Sequence, residues 1–280
     1  MAVIISTDSA CDLFPDLYRQ YNIEIVPLYI SIQDETYQDV FEIGPDDLFR
    51  NYEKTRQLPK TSAPPPADFF TLFKKCTARG DQVVHLAMNS KFSSSYQNAV
   101  IAAEEFDGVY VVDTRTLSSA EGLLVLRAAD LRDQGKSAEE IYQAILADKE
   151  KIRTNVLLDT LEYAYRGGRA SMLQMFGANL LKLRPCLLLD TEGVLSVRKK
   201  FRGNFAQVCK EYARFVLSQP NIDGDRVFIS TTGMDQEILD SVTDIVKESG
   251  IFKEILHTRA GCAMTVHTGP NTLVIFYKEK

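Results

Sequence analysis

Three consecutive serines at 93–95 stand where an apolar, strand-like run at 83–88 gives way to a helical pattern. In an open α/β sheet, ligands bind at the carboxyl ends of the strands, and the following helix directs free N–H groups at the bound group. The segment 89–96 contains Lys91 but no general base. Its residues are therefore suited to holding an anion rather than to attacking a substrate.

A second pair of hydroxyl groups belongs to Thr61 and Ser62, just before three prolines at 64–66. Pro64 disfavours helical backbone at the residue before it, and the prolines favour an extended chain until a helix begins near Pro66. We expect both hydroxyl groups to be presented rigidly at that helix start. A simple polar loop is the alternative interpretation.

Asp8 and His267 are further candidates for contact with an anion. Asp8 ends the first strand-like run, where a carboxylate can bind a ligand or orient hydroxyl groups; a capping box of Ser9 and Asp12 is the structural alternative. The stretch 260–277 is interpreted as two strands around a Gly-Pro turn, which places His267 in a loop as a hydrogen-bond donor or charge. The histidines lack H-x-H or H-x-x-x-H spacing, so no metal site is predicted.

Composition narrows the class of protein. A length of 280 residues suggests two domains, and 45% apolar with 25% charged residues is typical of a globular protein. A net charge of −6 argues against nucleic acid as the main partner. The five cysteines are scattered and include no C-x-x-C pair, and the apolar run at the start of the sequence ends at Asp8, too early for a signal peptide. These two features predict a cytoplasmic protein with reduced thiols.

Strand-like stretches, including a single strand expected at 23–31, alternate with amphipathic helical stretches through the first half of the sequence. This alternation predicts βαβ crossovers and a doubly wound, mostly parallel sheet. A helix that opens with the capping pattern Ser137 to Glu140 leads into the second half, where a hairpin turn at Gly193 predicts a mixed sheet. We therefore expect an α/β protein with an N-terminal domain at 1–155 and a C-terminal domain at 156–280.

Six motifs in order along the chain resemble those of the DegV family, the fatty-acid-binding subunits of bacterial fatty acid kinase. Thr7-Asp8-Ser9 with Asp12-Leu13 is similar to its T-D-S-x-x-D-L, and Thr61-Ser62-Ala63-Pro64 is similar to its T-S-x-P. The other four are Ser90 to Gln97, Val111 to Thr114 with Ser118 and Gly122, Leu161 through Arg169 and on to Pro185, and His267 to Pro270. Each motif alone is weak, but their order over nearly the whole chain is specific.

This resemblance implies a non-enzymatic, two-domain carrier that binds one long-chain fatty acid between its domains, without cofactor or metal. By position, the carboxylate contacts would be Thr61, Ser62, Ser93 and His267. Further contacts, or supports for them, would be Asp8, Ser94 and Ser95. A separate kinase would phosphorylate the carboxylate to an acyl phosphate, which could feed phospholipid synthesis.

Basic residues of the second half form another group, with six bases against two acids between positions 182 and 202. A solvated surface is the ordinary explanation for such a group. The resemblance makes Arg169, Arg198, Lys199 and Arg202 candidates for docking the kinase or for transient contact with an anionic membrane surface.

Three positions depart from the family pattern. Ser94 replaces a glycine, which puts close backbone approach in question there, Pro65 replaces a serine, and Asn271 replaces a second glycine. These changes could alter the geometry around the head group or the preference for acyl chains, but they do not remove the expected contacts.

The alternative function is a serine hydrolase that acts on lipid esters. Ser93, Asp113 and His267 occur in the Ser, Asp, His order of α/β-hydrolases, although the G-x-S-x-G motif is absent from the sequence. An enzyme that binds a sugar or nucleotide phosphate is a third hypothesis, for which the sequence offers neither a P-loop nor a G-x-G-x-x-G motif.

Overall fold

The apolar runs and amphipathic stretches form the strands and helices of a mixed α/β protein in a computed structural model, which describes residues 2–167 and 183–280. Arg169, one of the predicted docking residues, lies outside the described residues. The described helices are α1 (Pro15–Gln20), α2 (Pro45–Thr55), α3 (Pro66–Thr77), α4 (Ser95–Ala103), α5 (Ser119–Asp133), α6 (Ala138–Asp148), α7 (Glu162–Arg166), α8 (Phe205–Leu217), α9 (Gln236–Glu248) and α10 (Cys262–Thr268). The described strands are β1 (Val3–Asp8), β2 (Ile23–Val26), β3 (Tyr29–Ile32), β4 (Glu35–Gln38), β5 (Lys60–Ser62), β6 (Gln82–Ala87), β7 (Val109–Asp113), β8 (Ile152–Leu157), β9 (Arg184–Leu189), β10 (Leu195–Phe201), β11 (Ile222–Thr231), β12 (Glu254–Arg259) and β13 (Leu273–Glu279).

Prolines and capping side chains determine where several helices begin. Helices α1, α2 and α3 each start at a proline, whose missing N–H is not needed in a first helical turn. The predicted capping box opens α6: Ser137 Oγ accepts from the Glu140 N–H at 3.2 Å, and the Glu140 carboxylate accepts from the Ser137 N–H at 2.9 Å. At the first strand's end, Asp8 caps a short 3-10 turn, Ser9–Cys11, so the capping-box interpretation of Ser9 and Asp12 is wrong.

The N-terminal half contains the predicted parallel sheet, with four strands in the order β2-β1-β6-β7. Its strands end together, so Asp8, Ala87 and Asp113 lie along one edge of the sheet. The segments that follow β1, β6 and β7 therefore meet at this edge, as the sequence predicted for the serine-rich segment.

The mixed sheet predicted for the second half is also confirmed, with six strands in the order β10-β9-β8-β13-β11-β12. Only its β11–β12 pair is parallel, and β9 and β10 form the predicted hairpin, with Gly193 at a φ of +72° in the turn. Strand β8 spans the expected domain boundary at residue 155. The division into two domains stays a prediction.

A third, antiparallel sheet in the order β4-β3-β5 was not predicted. The run 23–31 was expected to be one strand, but it divides at Pro27 into β2 and β3, which join different sheets. A proline interrupts a ladder because it has no N–H to donate. Strand β5, which contains Thr61 and Ser62, pairs with β3, so these hydroxyl groups are held by a sheet as well as by the helix that follows.

The expectation of two strands between 260 and 277 is wrong for its first half, which forms helix α10. Short apolar runs do not distinguish a buried strand from a buried helix by periodicity. Two distant carboxylates favour the helix here: Asp12 accepts from the Gly261 N–H at 2.8 Å, and Asp39 accepts from the Cys262 N–H at 3.1 Å. These bonds satisfy N–H groups that a helix start leaves without partners inside the helix.

Helix α5 lies between the two larger sheets and is buried along most of its length, from Ser119 to Leu131. One core surrounds it, and another lies between the six-stranded sheet and helices α8 and α9. All five cysteines are buried free thiols. Among the residues described, no helix is long and apolar enough to cross a membrane.

Candidate ligand-binding site

A cavity of about 370 Å³ lies between strand β5, the start of α4, helix α10 and one face of β8, β9 and β10. This volume is within the range of about 300–1,000 Å³ that is usual for small-molecule sites. The polar part of its lining is Thr61, Ser62, Ser93, Ser94, Thr154, His267 and Thr268. The rest of the lining is apolar: Leu28, Ala63, Met88, Phe92, Leu117, Val156, Leu158, Leu187, Leu189, Leu195, Ala263 and Met264.

The four predicted carboxylate contacts all line this one cavity, although they come from three separate parts of the sequence. Thr61 Oγ1 lies 3.0 Å from His267 Nε2, which joins β5 to the last turn of α10. Asn98 on α4 donates to the Pro64 carbonyl at 2.7 Å and so ties the helix after the serines to the segment after Ser62. Hydroxyl groups and an imidazole thus face the same space.

Ser93 precedes α4, and its hydroxyl oxygen accepts a hydrogen bond from the Ser95 N–H at 3.1 Å. This bond uses a lone pair and leaves the Ser93 O–H proton available to donate to a ligand. Ser94, also in the lining, is exposed and has a φ of −80°, which any residue adopts. The backbone at this position therefore does not require the glycine that is usual in the family pattern.

Asp8 and Ser95 are fully buried and lie outside the cavity lining. Ser95 Oγ donates to Asp8 at 2.6 Å, and Asp8 also accepts from the N–H groups of Met88 at 3.0 Å and Ala10 at 3.1 Å. Burial raises the pKa of Asp8 to about 6, against the opposing effect of these hydrogen bonds. Asp8 therefore holds the ends of β1 and β6 and the start of α4 together.

Sequence reasoning missed two carboxylates that position α10. Asp12 accepts from Ser118 Oγ at 2.5 Å as well as from Gly261, and Asp39 accepts from Ser9 Oγ at 3.3 Å as well as from Cys262. Burial raises the pKa of Asp39, and it raises that of Asp12 to about 8. No local sequence pattern connects position 39 with a helix more than 220 residues away.

Within the described ranges, no three acidic, histidine or cysteine side chains are grouped so as to hold a metal ion.

A contact between Asn89 and the β9–β10 turn closes another side of the site. Asn89 Nδ2 donates to the carbonyl groups of Gly193 and Arg115, both at 3.1 Å, and Arg115 is 3.6 Å from Glu192. The segment after Asn89 and the hairpin both contribute side chains to the cavity. This contact therefore fixes two of its walls relative to each other.

The described docking candidates differ in their surroundings. Arg198 is half-buried, donates to Asn155 at 3.2 Å and lies over the Phe215 ring. Lys199 is exposed with its ammonium 4.4 Å from the centre of the Phe215 ring, and Arg202 is exposed. Lys199 and Arg202 thus present charge at the surface, whereas Arg198 also holds β10 to its neighbours.

The side chains of the alternative hydrolase are not arranged as a triad. Asp113 lies outside the cavity lining, where it accepts from Ser90 Oγ at 2.6 Å and from the Arg115 N–H at 3.0 Å. His267 Nε2 is bonded to Thr61, whereas a triad places it on the nucleophile, here Ser93.

These features define the class of the protein: an α/β protein with three sheets and a largely apolar cavity. The polar side chains of the cavity come from strands, a helix start and a short helix. Within this class the chain belongs to the DegV family, whose model, described as "Uncharacterised protein, DegV family", matches residues 2–280.

Relatives and solved structures match over essentially the whole chain. A DegV domain-containing protein of Caldanaerobacter subterraneus is 29% identical over 99% of each chain. A DegV family protein from Thermus thermophilus, described for its fatty acid binding, is 30% identical with a TM-score of 0.90 over 100% of both chains. The Fatty Acid Kinase (Fak) B3 protein of Streptococcus pneumoniae, loaded with linoleic acid, has the same fold at 22% identity, with a TM-score of 0.86 over 100% of both chains.

Proposed function

We propose that this protein binds one long-chain fatty acid, with the carboxylate at Thr61, Ser62, Ser93 and His267 and the acyl chain along the apolar walls of the cavity. The observation that carries the proposal is that these four residues line a single cavity whose other walls are mostly apolar. The fatty acid binding described for the Thermus thermophilus relative supports the same ligand class.

The chemistry of the lining fits both ends of such a ligand. A carboxylate taken out of water loses free energy unless charge-assisted hydrogen bonds replace its hydration, and hydroxyl and imidazole N–H groups supply them. Each methylene group buried against side chains such as Leu187 and Leu195 contributes about 0.8 kcal/mol. The carboxylate would thus fix the orientation of the ligand, and the chain would supply most of the affinity.

We further infer that the bound carboxylate is presented to a separate fatty acid kinase. The family resemblance supports this role, and the exposure of Ser62 and Ser94 gives the polar part of the cavity a route to the surface. Exposed Lys199 and Arg202 are the described candidates for contact with the kinase or with an anionic membrane. In this role the protein acts as a carrier, and the kinase supplies the phosphoryl-transfer chemistry.

Mass spectrometry of lipid released by denaturing the purified protein tests ligand binding. We expect a long-chain fatty acid in equimolar amount, and a lipid-free protein that also fails to bind added palmitate or oleate would overturn the proposal.

Incubation of the loaded protein with a bacterial fatty acid kinase catalytic subunit and ATP tests whether the bound carboxylate is presented to the kinase. Acyl phosphate should form more slowly with Ser93→Ala than with the wild type at equal fatty acid concentration, whereas equal formation without the carrier would contradict the kinase role.

A further inference from the structure

A second, smaller void of about 30 Å³ lies beside the main cavity, and side chains common to both linings separate the two. The shared side chains are Leu117, Val156, Met264 and Thr268. Its other walls come from the start of α5, from β11 and β13 and from the segments beside them and after β12. They are Ser118, Ser230, Thr231, Thr232, Ala260, Thr272, Val274 and Phe276. We call this void the end chamber.

The end chamber is apolar in effect, although several of its residues have hydroxyl groups. Thr232 Oγ1 donates to the Gly269 carbonyl at 2.6 Å, Thr272 Oγ1 to the Thr268 carbonyl at 3.1 Å, and Ser118 Oγ to Asp12. A trapped water needs two to four polar partners. These three protons are already committed to protein acceptors, and the Ser230 hydroxyl, which has no partner among the described residues, would supply one. The chamber is therefore better suited to methylene or methyl groups than to water.

Asp12 holds both sides of the partition between the two voids. Leu117 precedes Ser118, whose φ of +55° and ψ of −150° lie in a region that is essentially confined to glycine. Two hydrogen bonds hold this conformation: Ser118 Oγ donates to Asp12, and the Ser118 N–H donates to the Ala10 carbonyl at 2.8 Å. The other Asp12 oxygen accepts from Gly261, at the start of the helix that carries Met264. One buried carboxylate thus fixes both wall segments.

We propose that Leu117 and Met264 form a constriction that sets the preferred acyl-chain length, and that the end chamber receives carbon atoms of chains too long for the main cavity. The inference rests on the proposed function. An unbranched thioether side chain adapts readily, so Met264 can move aside for a longer chain. Each additional methylene group that enters the chamber should raise affinity about fourfold.

Competition between chains of different length tests the proposal. The wild type and each variant are incubated with an equimolar mixture of straight-chain saturated fatty acids of graded length, and the bound acids are quantified by mass spectrometry after gel filtration and denaturation. Met264→Ala widens the constriction and should raise the ratio of longer to shorter bound chains about fourfold per methylene admitted. Leu117→Ala is a second widening variant, to be used if Met264→Ala does not fold.

A filling variant should act in the opposite direction. The Ser230 hydroxyl is buried and has no hydrogen-bond partner among the described residues, so Ser230→Val adds a methyl group to the chamber wall without losing a bond. It should shift the bound mixture towards shorter chains. Ile229→Val is the matched control, because Ile229 is the preceding residue of β11 and packs in the core on the other side of the sheet.

The outcomes separate this inference from the function on which it rests. Opposite shifts in the widening and filling variants, with a wild-type distribution in Ile229→Val, support the chamber. Identical distributions in all of the folded proteins overturn it while leaving fatty acid binding in place. Failure of the wild type to bind any acid of the mixture overturns the proposed function itself.

Discussion

His267 Nε2 lies 3.0 Å from Thr61 Oγ1, and this contact joins residues that are 206 positions apart. Thr61 belongs to an edge strand of the three-stranded sheet, and His267 to the last turn of α10. Because both side chains line the cavity, a ligand carboxylate that accepted hydrogen bonds from them would interact with both segments. The head-group site is therefore assembled by the tertiary fold.

We expect Thr61→Val to weaken fatty acid binding by roughly ten- to a hundredfold, because a hydrogen bond to a charged group contributes about 1.5–3 kcal/mol. Titration with a fluorescent fatty acid measures the change in dissociation constant. Thr36→Val is the matched control, since Thr36 is a threonine of the same sheet whose hydroxyl bonds to Ser31 outside the cavity. Equal affinity of Thr61→Val and the control would contradict the assigned role.

Ser94 provides a test of the departure from the family pattern. Its φ of −80° is accessible to serine, and no side-chain bond caps the helix at this position. Ser94→Gly should therefore change the fatty acid dissociation constant by less than about twofold, whereas Ser93→Ala, which removes a donor, should weaken binding at least about tenfold. A large gain in affinity on introducing the glycine would mean that Ser94 obstructs the head group.

The head-group residues could be predicted because each lies in a short motif at a strand end or a helix start. Position in the sequence places Ser93 between β6 and the start of α4, and the prolines place Thr61 and Ser62 before α3. Placing a residue in a motif does not give its secondary structure: His267 was expected in a loop but belongs to a helix. The helix start is held by Asp12 and Asp39, which are distant in sequence.

The apolar walls could not be predicted for a different reason. Leu187, Leu189 and Leu195 line the cavity, but the sequence contains many similar side chains that pack only against protein. Which face of a strand borders a void depends on the packing of several elements, and hydrophobic pattern alone does not specify it. The three-stranded sheet was missed because Pro27 divides an otherwise continuous strand-like run at 23–31.

Asp12 should make the stability of the protein depend on pH. Its pKa rises from 3.8 to about 8 on folding, mainly because it is buried, so between these values the folded state holds a proton that the unfolded chain releases. The free energy of unfolding should therefore fall as pH rises through this range, by up to about 1.4 kcal/mol per pH unit for one such group. Asp8, whose pKa rises to about 6, adds a contribution of the same sign below that value.

Asp12→Asn should reduce this slope, because the amide cannot ionise but can still accept from the Gly261 N–H. Urea unfolding at several pH values between 5 and 8 measures the effect. Asp34→Asn, in the exposed turn between β3 and β4, should retain the slope of the wild type. If Asp12→Asn retained it as well, burial of Asp12 would not be a source of the pH dependence.

The last prediction concerns the contact between the β9–β10 turn and Asn89. A Cβ atom at Gly193 would lie 2.5 Å from Asn89 Nδ2, and the φ of +72° adds backbone strain. Gly193→Ala should therefore cost stability and also separate the hairpin from the segment that leads to Ser93.

Gly135→Ala is the matched control, since Gly135 has a similar φ of +81° and open space around it. Both variants should lose about 1–3 kcal/mol of unfolding free energy to strain, but only Gly193→Ala should release bound fatty acid faster than the wild type, as measured by transfer of labelled ligand to vesicles. Equal release rates in the two variants would mean that the Asn89 contact does not keep the cavity closed.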